Sequence, residues 1–402
     1  MDIHEPENIV ILGGGIVGVS TAYFLSKHYK ELNSSDITIN LIEKYEIASC
    51  ASGVAGGFLA RDFSDGTDIE ELTKAGFKLH KDLAEELDGE KNYGYRSVST
   101  YSLECDMKIA HETLCNEVDF PKELTDEDSI YFEIEWIKPK SIIEKSKIGS
   151  FQNSAQVTPK LLTQTLWKHA AKNGAELIIG SVVDVYKDST QISNPKYTIK
   201  LLDGRKINAS RIVLCLGPWT YYAREYSIFK NLPREYFNVY GLRAHNVVHK
   251  PQSRIPAQAL FVNIVNSEYR DGDEIEFYPR PDGTIYVCGE ALEDGVIVPN
   301  DLDLQKIGSE ASFTKLRNIY NAFINSEKST FISQNAGYLP IRNNGVPIIS
   351  KIPQLTGIYL GSGHGCWGIL NGPITGLLLS ELVLEKPSSL RNLKKFSVDR
   401  FV

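Results

Sequence analysis

The sequence predicts an α/β protein in which a discontinuous, Rossmann-like nucleotide-binding domain is combined with an α+β domain that has a mainly antiparallel sheet. The chain starts with a strand, a glycine turn, a helix and a strand: an apolar run at 8–12, a helical pattern at 17–29 and a second apolar run at 37–42. Residues 236–300 alternate instead between apolar and polar side chains, as antiparallel strands do. An apolar strand at 357–360 returns the chain to the first domain.

The segments between these patterns complete the organisation. An amphipathic helix is predicted at 68–90, and 91–145 mixes short β-like runs with charged turns, as an insertion of different architecture would. A helix at 158–173 and buried strands at 176–186 and 212–215 mark the return of the first domain.

Two further patterns set the domain boundaries. The hairpin turn 278–283 lies between two strands of the antiparallel region, and an apolar helix at 368–384 follows the last glycine turn. The predicted nucleotide-binding domain comprises residues 1–66, 146–235 and 331–402, and the predicted substrate domain comprises residues 67–145 and 236–330.

Composition and charge exclude several classes of function. The 402 residues are 42% hydrophobic and 23% charged, which is ordinary for a globular protein with a sizeable core. The net charge of −8 is spread along the chain without a cluster of lysines and arginines, so nucleic acid is not expected as a partner. The sequence has no run of 18 uninterrupted apolar residues and does not begin like a presequence. We therefore expect a soluble cytoplasmic protein without a transmembrane segment.

The cysteines indicate no metal or disulfide framework. The six cysteines, at positions 50, 105, 115, 215, 288 and 366, include no Cys-x-x-Cys pair. Reduced thiols are therefore expected, and no metal site. HExxH, P-loop and nucleophile-elbow motifs are also missing, which argues against the standard hydrolase and NTPase chemistries.

The first motif with chemical meaning is the glycine turn, which satisfies G-x-G-x-x-G directly after a strand and before a helix. Gly13 permits the tight turn, Gly15 allows a pyrophosphate to approach the backbone, and Gly18 allows the helix to pack on the strand. Glu43 ends the next strand, where a carboxylate can accept hydrogen bonds from both hydroxyls of a ribose. Together these residues predict a dinucleotide site; the alternative for Glu43 is a solvated acid at a strand end.

A run of small residues at 49–57 follows directly. Small side chains allow the main chain to lie against a flat ring system and phosphates, with Ser49 or Ser52 as hydrogen-bond donors. The alternative interpretation is a flexible loop.

A second glycine-rich turn, 361–373, again lies between a strand and a helix. Two glycine turns that each aim a helix N-terminus exceed what one nucleotide's phosphates need. The second suits a flavin, because a helix N-terminus stabilises the negative charge of the reduced ring. We interpret His364 as positioning this turn; the alternative is a structural histidine with no role at a ligand.

These motifs, together with 156–159, 215–219 and 337–340, resemble in order and spacing the D-amino-acid-oxidase-type FAD oxidoreductases over nearly the whole chain. Within that superfamily the sequence looks most similar to uncharacterised fungal members, with glycine oxidase and sarcosine oxidase as better understood relatives. The resemblance implies a discontinuous FAD-binding domain and a substrate domain whose antiparallel sheet covers the flavin. The residues predicted to bind FAD are Gly13, Gly15, Ile16, Val17, Gly18, Glu43, Lys44, Ser49, Ser52, Gly53, Gly57, Val182, Val183, Gly217, Trp219, Gly363, His364, Gly365, Gly368 and Ile369.

Departures from the family pattern concern the substrate. Glycine oxidases have an arginine in a Gly-x-Arg-Pro turn where this chain has Leu339, and a second arginine where it has Cys366. Sarcosine oxidases use a lysine that aligns with Trp367, and their flavin-linking cysteine has no counterpart beside 337–338. The usual grip on a substrate carboxylate is therefore absent, and FAD is expected to be held non-covalently.

Arg280 and Arg342 are the candidates to bind a substrate carboxylate in place of the missing arginines, and the alternative for each is a solvated surface charge.

The resemblance implies oxidation of the C–N bond of a small amine or amino acid: a hydride passes to FAD from the carbon beside a neutral amine, water hydrolyses the imine, and O2 takes up the electrons to give hydrogen peroxide. Two alternatives stay open: a flavin dehydrogenase with an acceptor other than O2, and a low-turnover FAD-containing regulatory or endosomal trafficking factor. The sequence gives neither the substrate nor the oligomeric state.

Overall fold

The computed structural model describes residues 7–32, 37–113, 134, 136–187, 196–269, 274–326 and 328–401. The strands are β1 (Glu7–Leu12), β2 (Ile37–Glu43), β3 (Phe58–Ala60), β4 (Arg96–Ser97), β5 (Ser99–Asp106), β6 (Ile142–Gly149), β7 (Ser154–Gln156), β8 (Ala175–Ile179), β9 (Val182–Lys187), β10 (Tyr197–Leu201), β11 (Lys206–Ala209), β12 (Arg211–Leu214), β13 (Tyr240–Pro251), β14 (Gln258–Val265), β15 (Glu274–Pro279), β16 (Ile285–Val296), β17 (Ser329–Ile341), β18 (Ile348–Lys351) and β19 (Ile358–Ser362). The helices are α1 (Ile16–Glu31), α2 (Ala51–Val54), α3 (Glu70–Glu86), α4 (Gly89–Tyr93), α5 (Met107–Glu112), α6 (Pro159–Lys172), α7 (Glu310–Phe323) and α8 (Gly368–Val383).

The first sheet has the strand order β18-β19-β12-β1-β2-β8, and all its neighbouring strands are parallel except β18 and β19. Its central strand β1 is an apolar run whose last four residues are buried, as expected for a strand that is covered on both faces. Helices α1, α3, α6 and α8 contribute to one hydrophobic core with side chains such as Ile9 and Ile11. The small sheet β11-β10-β9 covers the opposite face, against Val10 and Leu12.

The second sheet has the order β17-β13-β16-β15-β14-β5-β6 and is antiparallel except for the pair β14 and β5. Helices α5 and α7 cover one of its faces with a core that includes Phe277 and Phe323. Its other face carries Tyr278 and Tyr286, which pack with Phe58 of β3. Because β3 follows the small-residue run, this face of the second sheet is turned toward the first domain.

The sequence predictions of this α/β architecture are confirmed in type. The helix expected at 17–29 is α1, that at 68–90 is α3, that at 158–173 is α6 and that at 368–384 is α8. Residues 114–133 of the predicted insertion, with the cysteine at 115, lie outside the described residues.

The prediction of one buried strand at 176–186 is wrong. This segment forms β8 and β9, which lie in different sheets, and most of their side chains are partly or fully exposed. The physical reason is that β8 is an edge strand, so the burial expected for an interior parallel strand does not apply.

The domain boundaries stay a prediction, but three segments lie differently from the predicted division. Helix α3 packs on α8 and contributes Leu72 and Leu83 to the core of the first domain. Strand β17 and strand β6 both belong to the second sheet. An apolar pattern shows that a segment is buried but does not identify the element that covers it.

One helix in the described part of the chain, Gly365–Val383, has the length and apolar composition of a membrane span. In the fold, 72% of its most apolar window is buried. The helix packs against α1 and α3, so its apolar character serves the interior and is weak support for a membrane span.

Candidate flavin and substrate site

A deep cleft opens where β1 and β12 end side by side. The chain continues from β1 to β2 on one side and reaches β12 on the other, so this is the point where the strand order reverses. Ligands of open α/β sheets bind at such a point. The cleft contains about 1430 Å³ of empty space, part of which is open to solvent. Its lining extends from Gly13 and Glu43 to Gly368 of the second glycine turn, as an elongated ligand would require.

The glycine turn after β1 has the geometry that its sequence predicts. Gly13 has φ +111°, and a Cβ there would lie 2.2 Å from the Cys215 carbonyl oxygen. A Cβ on Gly18 would lie 2.0 Å from the Gly13 carbonyl oxygen, so this glycine is required for close packing of the helix. A Cβ on Gly15 would meet only the Ser52 hydroxyl, at 3.2 Å. Gly15 therefore presents bare backbone to the cleft, where a ligand can approach.

Two long helices begin at this cleft, and neither has a capping hydrogen bond from the side chain of its own N-cap residue. Helix α1 follows Gly15, and α8 follows the second glycine turn at Trp367. Neither first turn contains an acidic residue. The positive ends of both helix dipoles therefore favour negative charge in the cleft.

Glu43 occupies the end of β2 as predicted for a ribose-binding acid. One of its carboxylate oxygens accepts a hydrogen bond from the Gly14 N–H at 2.7 Å, and the other accepts one from the Tyr45 N–H at 3.0 Å. The second oxygen also accepts a longer hydrogen bond from the Ser49 hydroxyl, at 3.4 Å. The residue is only half-buried and lines the cleft, so the carboxylate is accessible to the hydroxyls of a ligand. This placement differs from that of a freely solvated strand-end acid.

The small-residue run forms the short helix α2, and it connects the two parts of the molecule. Ser52 Oγ accepts a hydrogen bond from the Ile16 N–H at 2.9 Å, at the first turn of α1. The Val54 carbonyl accepts hydrogen bonds from the Tyr286 hydroxyl at 2.9 Å and from Asn246 Nδ2 at 3.0 Å, both on the second sheet. The run is therefore an ordered contact between the cleft and the second sheet.

His364 lies in the second turn, where burial lowers its pKa to about 4. Its Nε2 lies 2.9 Å from the Thr375 hydroxyl in the second turn of α8, so the imidazole ties the glycine turn to the helix. A neutral, buried ring with this partner suits a positioning role better than proton transfer.

The structure brings most of the predicted site residues together in this one cleft. Those that line it are Gly13, Gly15, Ile16, Val17, Glu43, Lys44, Ser49, Ser52, Val182, Gly217, Trp219, Leu339, His364, Gly365, Cys366, Gly368 and Ile369. Those that do not are Gly18, Gly53, Gly57, Val183, Arg280, Arg342, Gly363 and Trp367. Gly18, Gly53 and Gly57 instead abut backbone carbonyls, and Val183 is 40% exposed.

Residues 299–302 also close one side of the cleft, which the sequence did not indicate. Lys44 Nζ donates to the Asn300 carbonyl at 3.0 Å, and the Tyr45 hydroxyl donates to the Leu302 carbonyl at 3.1 Å. Trp219 Nε1 donates to the Pro299 carbonyl at 3.0 Å. Because these bonds join side chains to backbone across long sequence separations, no local pattern in residues 299–302 signals them.

The two candidate arginines lie behind the cleft wall. Arg280 Nη2 reaches the Ala55 carbonyl at 3.4 Å, and its guanidinium lies 4.9 Å from the centroid of the Tyr286 ring. Burial lowers the pKa of Arg342 to about 10, and the Arg342 side chain packs where a Cβ on Gly363 would lie. Neither guanidinium is among the groups that line the cleft.

The thiols that line the cleft keep their protons at neutral pH. Burial raises the pKa of Cys50 to about 11 and that of Cys215 to about 12. Within the described residues, no group of three or more histidine, cysteine or acidic side chains is arranged to hold a metal ion. The cleft is therefore a place for binding and positioning, with its redox chemistry brought by a bound cofactor.

The donor set matches a flavin dinucleotide. The bare backbone at Gly15 and the start of α1 suit a pyrophosphate, Glu43 suits a ribose, and the start of α8 suits the electron-rich edge of a flavin ring. Between the two helix starts, the small residues of α2 leave space for a flat ring.

Acid should destabilise the start of α8, because two buried histidines hold it. His80 Nε2 lies 2.9 Å from the Ile369 carbonyl, and burial lowers the pKa of both His80 and His364 to about 4. Below the ordinary histidine pKa of about 6.5, these two histidines bind protons in the unfolded chain but stay neutral in the folded chain until about pH 4. Stability is therefore complete above that pH and falls toward pH 4, by up to about 1.4 kcal/mol per pH unit for each histidine.

Melting temperatures between pH 7.5 and pH 5 test this expectation, since carboxyl groups of ordinary pKa stay ionised there. The variant His80→Gln keeps a donor for the Ile369 carbonyl but no longer titrates, so its melting temperature should fall less with acid. The variant His111→Gln, at an exposed position, is the matched control. A wild-type melting temperature that is constant over this range would contradict the assignment.

Comparisons with known proteins agree with this site. The family model described as "FAD dependent oxidoreductase" (DAO) matches residues 8–382. An oxidoreductase of Schizosaccharomyces pombe is 32% identical over 395 residues, with 94% of each chain covered. The glycine oxidase of Bacillus subtilis is 24% identical, with 97% of this chain and 96% of the relative covered.

A solved structure has the same fold over the whole chain. The crystal structure of glycine oxidase from Geobacillus kaustophilus superposes with a TM-score of 0.74 at 21% identity, covering 98% of this chain and 100% of the other. The sequence-based recognition of the family, of the fold and of FAD as cofactor is confirmed. The chain belongs to the DAO family of FAD-dependent oxidoreductases.

Proposed function

We propose that this chain oxidises the C–N bond of a small amine to an imine, which water then hydrolyses, with O2 as the acceptor that is reduced to hydrogen peroxide. FAD, when bound, supplies the two-electron chemistry. The names of the similar proteins support the direction of the reaction, because two of the three described above are glycine oxidases.

The observation that carries the proposal is that no histidine or carboxylate in the described lining of the cleft is free to act as a general base. His364 is the one histidine among those lining residues, and it is buried, neutral and bonded to Thr375. Glu43, the one carboxylate among them, holds backbone N–H groups at the end of β2. Oxidation of an alcohol requires removal of a hydroxyl proton, for which such a base is needed. A neutral amine already has a free electron pair, so positioning and electrostatics suffice.

The substrate should lack an α-carboxylate. Leu339 and Cys366 line the cleft, and Arg280 and Arg342 are held behind its wall. A carboxylate buried without a cationic partner costs several kcal/mol, and about 1.4 kcal/mol already lowers affinity tenfold. We therefore expect weak or no activity on glycine, sarcosine and simple D-amino acids.

Anaerobic mixing of the yellow holoprotein with panels of amines and amino acids tests the proposal. Amines without a carboxylate should bleach the flavin absorbance, and admission of air should restore it quickly with formation of hydrogen peroxide. Amino acids of matched size are the controls, and alcohols of matched size test the argument about the missing base.

The other outcomes separate the alternatives. Bleaching by amines without rapid return in air would replace O2 by another acceptor, as in a dehydrogenase. Bleaching by simple amino acids would contradict the assignment of the cleft wall. No bleaching by any compound would favour a low-turnover FAD protein with a regulatory role.

A further inference from the structure

A cluster of aromatic side chains adjoins the cleft beside Cys366. Phe63 lies 6.3 Å from Trp367 and 5.9 Å from Phe261, measured between ring centroids. Phe261 in turn lies 6.1 Å from Tyr278. Phe63 is 38% exposed, and Trp367 and Phe261 are only half-buried, so this aromatic cluster is accessible to small molecules. Faces of aromatic rings attract cations.

A carboxylate belongs to the same wall. Glu276 lies directly across from Phe261 in the pairing of β14 with β15. Its Oε2 accepts a hydrogen bond from the Tyr278 hydroxyl at 2.6 Å and another from the Cys288 thiol at 3.2 Å. The negative charge of Glu276 also acts on the pKa of Cys366, which burial raises first and the carboxylate raises further. Glu276 is therefore electrostatically coupled to a residue that lines the cleft.

The hydrogen-bond partners of this carboxylate are neutral. Burial and the Glu276 charge both raise the pKa of Tyr278, so the hydroxyl keeps its proton and stays a donor. Within the described residues, no ion pair involves Glu276, although it is half-buried. Charges removed from water are normally paired in proteins, because the unpaired charge loses its solvation.

A positively charged ligand can supply the ion-pair partner that Glu276 lacks among the described ion pairs. We propose that Glu276, together with the adjoining aromatic cluster of Phe63, Phe261, Tyr278 and Trp367, is the specificity site for an alkylammonium group of the substrate. The substrate class is then an amine that arrives as an ammonium ion and not an α-amino acid. Its nitrogen is oxidised in the neutral form, after the proton has passed to solvent. This inference rests on the proposed amine function for its physiological meaning, but the site can be tested by binding alone.

The positive charge nearest to this site along β15 and its turn is Arg280, four residues beyond Glu276. The Arg280 guanidinium contacts the Ala55 carbonyl and the Tyr286 ring. Arg280 and Glu276 both act electrostatically on Tyr286 and Cys288, but no described ion pair joins them. An ammonium group is therefore attracted to the Glu276 end of the wall, whereas an anion would be drawn to the Arg280 end.

Three small probes of similar shape test whether the site prefers a cation, a neutral molecule or an anion. They are tert-butylamine, tert-butanol and pivalate, which are a cation, a neutral molecule and an anion at pH 7.5. None of them has a hydrogen on the carbon that bears its polar group, so none is oxidised at that carbon. Titration calorimetry with the holoprotein should show that tert-butylamine binds at least about tenfold more tightly than tert-butanol. Pivalate should bind more weakly than tert-butylamine.

Two variants assign the preference to the site. In Glu276→Gln the amide oxygen still accepts from Tyr278, but the charge is removed, and the preference for the amine should fall below about threefold. Glu144→Gln, which removes one negative charge from the exposed edge strand β6, is the matched control and should keep the wild-type preference. Phe63→Leu keeps an apolar side chain without a π face, so it should weaken tert-butylamine by roughly twofold to thirtyfold and leave tert-butanol nearly unchanged.

The inference is overturned by equal binding of tert-butylamine and tert-butanol, by tighter binding of pivalate, or by an undiminished preference in Glu276→Gln. Its failure is distinguishable from that of the proposed function. Amines that reduce the flavin without any preference for tert-butylamine would refute this inference alone. Selective binding of tert-butylamine in a protein that oxidises no amine would refute the proposed function alone.

Discussion

Replacing Gly15 by valine should abolish the FAD content of the purified protein. A Cβ at this position would meet only the Ser52 hydroxyl, at 3.2 Å, so the fold accepts a side chain if that hydroxyl shifts by a few tenths of an ångström. The added atoms would project into the cleft in front of α1, where the pyrophosphate is expected to approach the backbone. A clash of only about 3 kcal/mol with the bound nucleotide corresponds to a loss of affinity of roughly a hundredfold.

The absorbance of released flavin, measured against protein concentration, gives the result directly. The melting temperature of the apoprotein is the necessary companion measurement, and it should stay within a few degrees of wild type because no buried contact is disrupted. Gly15→Ala, with a single methyl group, should lie between wild type and Gly15→Val in FAD content. A valine variant that retains stoichiometric FAD would show that the nucleotide does not pass over this turn.

The glycine turn was predictable from the sequence because its requirements are local. Gly13 needs a positive φ, Gly18 needs close packing on the turn, and both constraints act within a few residues of the strand that precedes them. For the same reason the helical pattern at 17–29 predicted α1 to within two residues at each end. Local periodicity is a property of the sequence itself.

The partner of each buried face was not predictable in this way. The pattern at 68–90 predicted an amphipathic helix, but α3 packs its apolar side on α8, almost 300 residues further along the chain. Likewise β17 has the same alternating character whether it joins the first sheet or the second. Such assignments depend on tertiary contacts, about which a single sequence pattern carries no information.

The face of the second sheet that carries Glu276 also shows which contacts a sequence pattern cannot predict, here at the candidate substrate site. The period of two along β15 places Glu276, Tyr278 and Arg280 on one side of the strand, which follows from strand geometry alone. That this side faces Phe58 and Trp367 is visible only in the folded molecule. Sequence comparison therefore identified the missing arginines, whereas the structure was needed to find the carboxylate.

Replacing Glu43 by alanine should weaken FAD binding by roughly tenfold to a hundredfold or more, the second largest effect expected in this site. The carboxylate accepts hydrogen bonds from the Gly14 and Tyr45 N–H groups and has lone pairs left to accept hydrogen bonds from ribose hydroxyls. Each hydrogen bond to a charged group contributes about 1.5–3 kcal/mol, part of which water recovers when the side chain is removed.

Reconstitution of the apoprotein with FAD, followed by the quenching of flavin fluorescence, measures this affinity. Glu46→Ala is the matched control, because Glu46 is an exposed acid three positions further along the chain, paired at 3.1 Å with Lys160. Glu43→Gln should lose less affinity than Glu43→Ala, because its amide oxygen can still accept from Gly14 but carries no full charge for the ribose hydroxyls. If Glu43→Ala binds FAD as tightly as Glu46→Ala does, the Glu43 carboxylate serves only the turn after β2, and the ribose must be bound by other groups of the cleft.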